Sequence, residues 1–170
     1  MASGKSTIAP ILANTLGWDF YDLDREIEKR EGLKVARIFK INGEKYFRKK
    51  ETDTLAEISR GSKLIISLGG GALMSAVNRE IVKSSGKLIY LKTSPEIAYS
   101  RLRFKRDRPA LLFDNEEELK KENFIGRIKE LLNQREKYYN EADYIIDTDY
   151  EHVGKTVDKI ARLIENKFGN

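Results

Sequence analysis

Apolar and polar positions follow two rhythms along this chain, one near the helical period and one of short unbroken runs. In STIAPILANTLG, Ile8, Ile11, Leu12 and Leu16 recur at helical spacing, which predicts a helix with one apolar face, ending at Gly17. WDFYDLD is short, aromatic and acidic at its end, the pattern of a strand running into a loop. Three helical segments follow: DREIEKREG, KVARIFKING and GEKYFRKKETDTLAEISRG. KLIISL is a continuous apolar run, predicted to be a strand buried on both faces, and it stops in GGG. NREIVKSSG reads as a helix, KLIYLK as another buried strand, and SPEIAYSRLRF as a helix with Pro95 near its start. KRDRPALLFDNEEELKKE has no clean period. A long helix, NFIGRIKELLNQREKYYNEA, precedes the strand DYIIDT and a last helix, EHVGKTVDKIARLIENKF, which contains His152.

Alternation of strands and helices predicts an α/β fold with a parallel sheet covered by helices on both faces. The 170 residues contain no repeat, low-complexity stretch or linker, so a single domain over 1–170 is expected. Ligands in such sheets bind beyond the C-terminal ends of strands. That rule singles out Asp22 and Asp24, Gly69 to Gly71, Thr93 and Ser94, and Asp147 and Thr148.

Composition narrows the chemistry. Apolar residues make up 40% and charged residues 35% of the chain, as in a soluble globular protein. No apolar run approaches the ~18 residues of a membrane span, and no signal peptide is visible. Cysteine is absent, which excludes disulfides, thiol nucleophiles and thiolate metal sites, and fits a cytoplasmic setting. The net charge of +5 comes from interleaved charges of both signs, so a solvated surface is expected and nucleic acid is not the expected partner. With one histidine, in the last helical segment, any proton transfer falls to a carboxylate.

Against that background, SGKST at the start of the chain matches the last part of a phosphate-binding loop, G-x-x-x-x-G-K-[ST]. Gly4, Lys5 and Ser6 fill its final three places, and Lys5 would reach the β- and γ-phosphates while the Ser6 hydroxyl binds Mg²⁺. The first loop glycine and the strand that feeds the loop are missing, and Met1 is expected to be an internal residue of a longer loop. An ordinary helix start with Ser3 as its cap is the alternative. Asp22 and Asp24, two apart, point the same way in extended chain. One is suited to Mg²⁺ and the other to accepting a proton from a substrate hydroxyl; a helix cap at Asp24 is the alternative. The three glycines permit close approach of a ligand, or form a plain turn. Arg48 and Arg135 are candidates to hold a small carboxylate by bidentate hydrogen bonds, with Glu51 orienting Arg48; each also suits an ordinary surface. Arg106 and Arg108, in KRDRPALL, are lid candidates for a transferred phosphoryl group.

Taken in order, SGKST, FYDLDREIEKREG, IFKINGEKYFRKKE, IISLGGGAL, RPALL and NQREKYYNEADYIIDT resemble the shikimate kinase family over essentially the whole chain. The resemblance implies a three-layer P-loop kinase fold, nucleoside-monophosphate-kinase-like, with five parallel strands in the order 2-3-1-4-5. Strand 1 would be the one absent here, and its loss predicts a poorly stable or inactive chain. The implied reaction moves the γ-phosphate of MgATP to the 3-hydroxyl of shikimate, in aromatic amino-acid synthesis. The implied nucleotide site comprises Ser3, Gly4, Lys5, Ser6, Thr7, Arg101, Arg108 and Pro109, with Ser6 and Asp22 at the metal and Asp147 to Asp149 near the adenine. Asp24, Arg48, Gly69, Gly70, Gly71 and Arg135 would hold shikimate, with Asp24 the base and Arg108, in a lid of about 104–121, on the phosphoryl group. RPALL departs from the family's usual R-P-L-L at Ala110, which touches the lid geometry alone. A monomer acting on small molecules is expected. A gluconate-kinase-like enzyme and a catalytically impaired kinase-like domain are the competing readings.

Overall fold

The structure, a computed structural model, describes residues 2–102, 113–114, 117–118 and 121–168, with the backbone alone at 113–114, 117–118 and 168. Their contacts divide into two compact units: Lys5–Leu88 with His152–Asn170, and Met1–Gly4 with Ile89–Glu151.

The first unit opens with α1 (Lys5–Leu16) and β1 (Asp19–Asp22), followed by α2 (Leu23–Glu31) and α3 (Val35–Ile58). β2 (Leu64–Ser67) leads through a 3₁₀ turn (Ala72–Met74) into α4 (Ala76–Ser85). β1 and β2 pair in parallel, from Asp19 opposite Leu64 to Asp22 opposite Ser67. Such a pair needs a crossover connection, which α2 and α3 supply. Leu23, Ile27, Ile38, Phe47, Leu55, Ile58 and Ala72 form the core beneath it. The helix α7 (Val153–Phe168) packs on α1. Val157, Ile160, Ala161 and Ile164 are its buried apolar residues.

Two helical segments expected on either side of residue 43 run on as α3, interrupted at Gly43, whose φ of 81° and ψ of 169° are not helical. Only glycine adopts such a pair without strain. The apolar face of α1 differs from its expected one. Ile8, Ala9, Leu12 and Ala13 are buried, while Ile11 is 43% exposed. The small residues Ala9 and Ala13, invisible to a search for large apolar side chains, allow α1 to approach its neighbours closely.

In the second unit, β3 (Ile89–Lys92) and β6 (Tyr144–Asp147) pair in parallel, Ile89 opposite Tyr144 and Lys92 opposite Asp147. Their flanking helices are α5 (Pro95–Leu102) and α6 (Lys121–Tyr139). Ala98, Leu102, Phe124 and Ile128 form its core, with Tyr99 edge-on to Phe124 at 5.3 Å. β4 (Phe113–Asp114) and β5 (Glu117–Glu118) make a short antiparallel pair that the sequence did not predict.

The two parallel pairs are the 2-3 and the 4-5 neighbours of the expected order. Burial of the strands on both faces is not observed. Only Ser67 is buried in β2 and only Leu91 in β3, and Ile145 of β6 is 48% exposed. Each strand has one ladder partner among the described residues, so less sheet covers it than a central strand would have. His152 lies just before α7, accepting the Thr156 N–H at its carbonyl.

Candidate active site

Register sets the first cluster. Because Asp22 lies opposite Ser67 at the end of the ladder, α2 and the glycine run leave the sheet from the same edge. The extended Asp22–Asp24 pair expected from the sequence does not form. β1 stops at Asp22, whose Oδ1 accepts the Arg25 N–H at 3.2 Å and caps α2. Capping turns the chain at Leu23, which is fully buried. Asp24 therefore sits in the first turn of α2, not at its cap, where the positive end of the helix favours a carboxylate. Gly69 lies against it: a Cβ there would stand 2.8 Å from Asp24 Oδ1.

Arg48 forms the second part of the cluster. Its Nη1 donates to both Glu51 oxygens, at 3.2 and 2.9 Å, and its Nε and Nη2 donate to Glu44 Oε1 at 3.2 Å. Phe39 and Phe47 lie beneath the guanidinium, their ring centres 5.9 and 5.5 Å from Cζ. Glu51 is almost fully buried, at 1% exposure. Burial raises its carboxyl pKa against the pull of Arg48, and the charges of Asp24 and Glu44 raise it further. Burial lowers that of Arg48, but Glu51 and Glu44 outweigh it and the guanidinium is held more firmly protonated. Gly71 completes the arrangement, since a Cβ there would meet Arg48 Nη2 at 2.7 Å. Asp24, Gly69, Arg48 and Gly71 are thus neighbours, and Gly70 lies in the same turn. Glu44 escaped the sequence reading; its i, i+4 spacing from Arg48 was the available signal.

At the phosphate loop, Gly4 has φ +90°, a conformation open to glycine. Lys5 begins α1, and Ser6 and Thr7 are exposed in its first turn. The first-turn N–H groups of a helix have no partners within it and attract anions. Ser3, just before, is buried.

The second unit carries the remaining expected residues. Arg101 donates through Nη1 to the Ala2 carbonyl at 3.2 Å and through Nη2 to the Thr148 carbonyl, so it braces the backbone on both sides. Asp149 accepts from Thr93 Oγ1 at 2.7 Å and from the Ser94 N–H at 2.9 Å. Burial raises the pKa of this carboxyl, but the Thr93 and Ser94 hydrogen bonds and the charge of Arg101 outweigh it and hold it below its usual value. On α6, Arg135 has a buried Nε with no hydrogen-bond partner among the described residues. Beside it, burial raises the Tyr139 phenol while the charge of Arg135 draws it back. Arg106, Arg108, Pro109 and Ala110 lie outside the described residues, as does most of the expected lid. Among the described residues no helix is long and apolar enough to cross a membrane.

Residues 1–165 match the family model described as shikimate kinase. The chain belongs to the shikimate kinase family. It is 47% identical over 163 residues to a shikimate kinase of Chlorobaculum parvum, covering 96% of this chain and 87% of that relative. A shikimate kinase of Chlorobaculum tepidum is also 47% identical, over 96% of this chain and 85% of the relative. Among solved structures, the chain is similar to a shikimate kinase from Bacteroides thetaiotaomicron, with TM-score 0.88 and 31% identity over 97% of this chain and 94% of the other. It is similar too to the Acinetobacter baumannii shikimate kinase in complex with shikimate, with TM-score 0.87 and 34% identity over 100% of this chain and 91% of the other. The fold is accordingly the α/β P-loop kinase fold of these shikimate kinases, and the chain is a kinase of a small molecule.

Proposed function

We propose that this chain transfers the γ-phosphoryl group of ATP to the 3-hydroxyl of shikimate, giving 3-phosphoshikimate and ADP. Family membership supplies the reaction, and one observation supports its placement on these residues: Asp24 and the Glu51-held Arg48 flank one glycine turn, where a Cβ at Gly69 or Gly71 would press on the one or the other. A ring bearing both hydroxyls and a carboxylate suits that pair. Arg48 holds the carboxylate through charge-assisted hydrogen bonds, and Gly69, Gly70 and Gly71 let the ring approach the backbone. Asp24 orients the hydroxyl and accepts its proton as the bond to phosphorus forms.

Arg135 is the proposed second guanidinium for the carboxylate. Its buried, unpartnered Nε is a donor that an anion would satisfy. Ser3, Gly4, Lys5, Ser6 and Thr7 take the phosphates, Lys5 neutralising charge that builds on the transferred group. Arg101 stabilises the backbone next to the nucleotide, with Arg108 and Pro109 proposed to cover it.

Mg²⁺ is the proposed cofactor. The exposed Ser6 hydroxyl and the Asp22 carboxylate are oxygen donors suited to that hard cation. Among the described residues no cluster of three or more acidic or histidine side chains could hold a metal alone. That fits an ion bound partly by nucleotide phosphates, where it draws negative charge from their oxygens. A monomer working in the cytoplasm completes the proposal.

Coupled measurement of ADP release, with shikimate and separately with gluconate, tests the reading. Shikimate-dependent release is expected, with Asp24→Asn lowering kcat by roughly 10²- to 10⁴-fold. Arg48→Ala is expected to raise the shikimate KM by about tenfold or more. Full activity in both variants, or turnover of gluconate instead, would overturn it.

A further inference from the structure

Behind the glycine turn, the structure holds a polar bridge that the reaction as described does not use. Asn78, on α4, is fully buried, with 0% exposure. Its Nδ2 donates to the Ala72 carbonyl at 2.9 Å. Its Oδ1 accepts from Thr52 Oγ1, on α3, at 2.7 Å. Thr52 follows Glu51, the residue that fixes Arg48, and Ala72 follows Gly71, the residue against which Arg48 lies. One amide therefore joins the helix that carries the guanidinium to the turn that faces it.

The turn is held along its whole length. Arg79 Nη1 donates to the Leu73 and Met74 carbonyls at 2.8 and 3.2 Å. Ser75 caps α4 by accepting the Asn78 N–H at 3.3 Å. Of these contacts, only the Asn78 amide also reaches α3. A buried primary amide without its partners carries a large desolvation cost, so this one has a single comfortable position. That position fixes the spacing between Arg48 and the backbone of Gly71.

We propose that Asn78, with Thr52, is a positioning pair for the substrate carboxylate: it sets the gap between Arg48 and the glycine turn, and so the affinity for shikimate. This rests on the reaction proposed above. Neither residue touches the reacting atoms. Their loss belongs in the shikimate KM, leaving the ATP KM unmoved and kcat little changed. Asn78→Ala removes both hydrogen bonds of the bridge, Thr52→Val removes only the one to α3, and Thr52→Ser keeps that donor without the methyl group.

Steady-state kinetics and amide hydrogen exchange on the four proteins decide the matter. Thr52→Val is expected to raise the shikimate KM roughly tenfold, the equivalent of one lost buried hydrogen bond, and Asn78→Ala, which loses two, at least as much. Thr52→Ser should restore it. Exchange of the 69–75 amides should quicken in the first two variants while α1 stays protected. A large fall in kcat, or an unchanged shikimate KM in folded variants, would overturn the proposal. If the parent chain shows no shikimate-dependent ADP release, the reaction assigned to it fails. Exchange then still decides the bridge, and unchanged protection of 69–75 in folded Asn78→Ala would overturn it separately.

Discussion

Two glycines two residues apart face two different side chains, and the difference predicts two different defects. At Gly71 an added methyl group would meet the far end of Arg48, 2.7 Å from Nη2 and 3.0 Å from Nη1. A guanidinium on a long side chain can yield, so Gly71→Ala is expected to fold with little loss of stability. The displaced Arg48 would leave the carboxylate, and the shikimate KM should rise about tenfold. At Gly69 the methyl group would press on the Asp24 carboxylate, 2.8 Å from Oδ1. Displacing the proton acceptor should lower kcat, because a shift of about 1 Å at a reacting group costs on the order of 10²-fold. Kinetics on the two variants check the pair; the same parameter changing in both would refute the separation of roles. Glu51 has a similar lesson. It was legible as a partner of Arg48 from spacing alone, but its near-complete burial was not, because burial depends on α3 packing against α2, α4 and the 3₁₀ turn.

Helix ends and breaks decide where these groups sit. Ser94 caps α5 by accepting the Ile97 N–H, Asp149 accepts from both Ser94 and Thr93, and its carboxyl is held below its ordinary pKa of 3.8. An acid lowered by folding contributes its full stabilisation above that ordinary value and loses it as pH falls through the lowered one. Asp149→Asn should therefore melt below the parent near neutral pH, with the gap closing as pH falls below about 3.8. Tm measured across that range checks it, and a constant gap would refute it. Gly43 interrupts α3 at φ 81°, with open space where a Cβ would go. Gly43→Ala is thus expected to cost about 1–3 kcal/mol from backbone strain alone, or a fall in Tm of several degrees. The sequence placed this break correctly, since glycine stood between two helical patterns. It placed Asp22 and Asp24 on one extended edge and was wrong there, because whether a strand ends at one aspartate or the next depends on which of them caps the helix. Large apolar residues marked the strands, whereas the face of α1 was misjudged because of its small ones. Arg48, the glycines and Asp24 were all legible as candidates; their closeness was not, because it follows from the register of Asp22 with Ser67.

At the scale of the molecule, the unit that bears the Asp24–Arg48 cluster is assembled from two distant stretches of chain, Lys5–Leu88 and His152–Asn170. Its closure depends on α7 seated on α1, with Ile160 at 2% exposure. Ile160→Ala should destabilise this unit by about 2–5 kcal/mol, and urea titration should show that loss as a lower midpoint. An unchanged midpoint would show that the packing of α7 carries little of the unit's stability. The same arrangement bears on how the protein is made. A ribosome delivers α1 before α7, with more than a hundred residues made in between, so the helix that follows the phosphate loop waits through that stretch of translation without its packing partner. The nascent chain is then expected to gain protection from proteolysis around α1 late, when residues 153–168 have left the exit tunnel, and to be open to capture by chaperones until that moment.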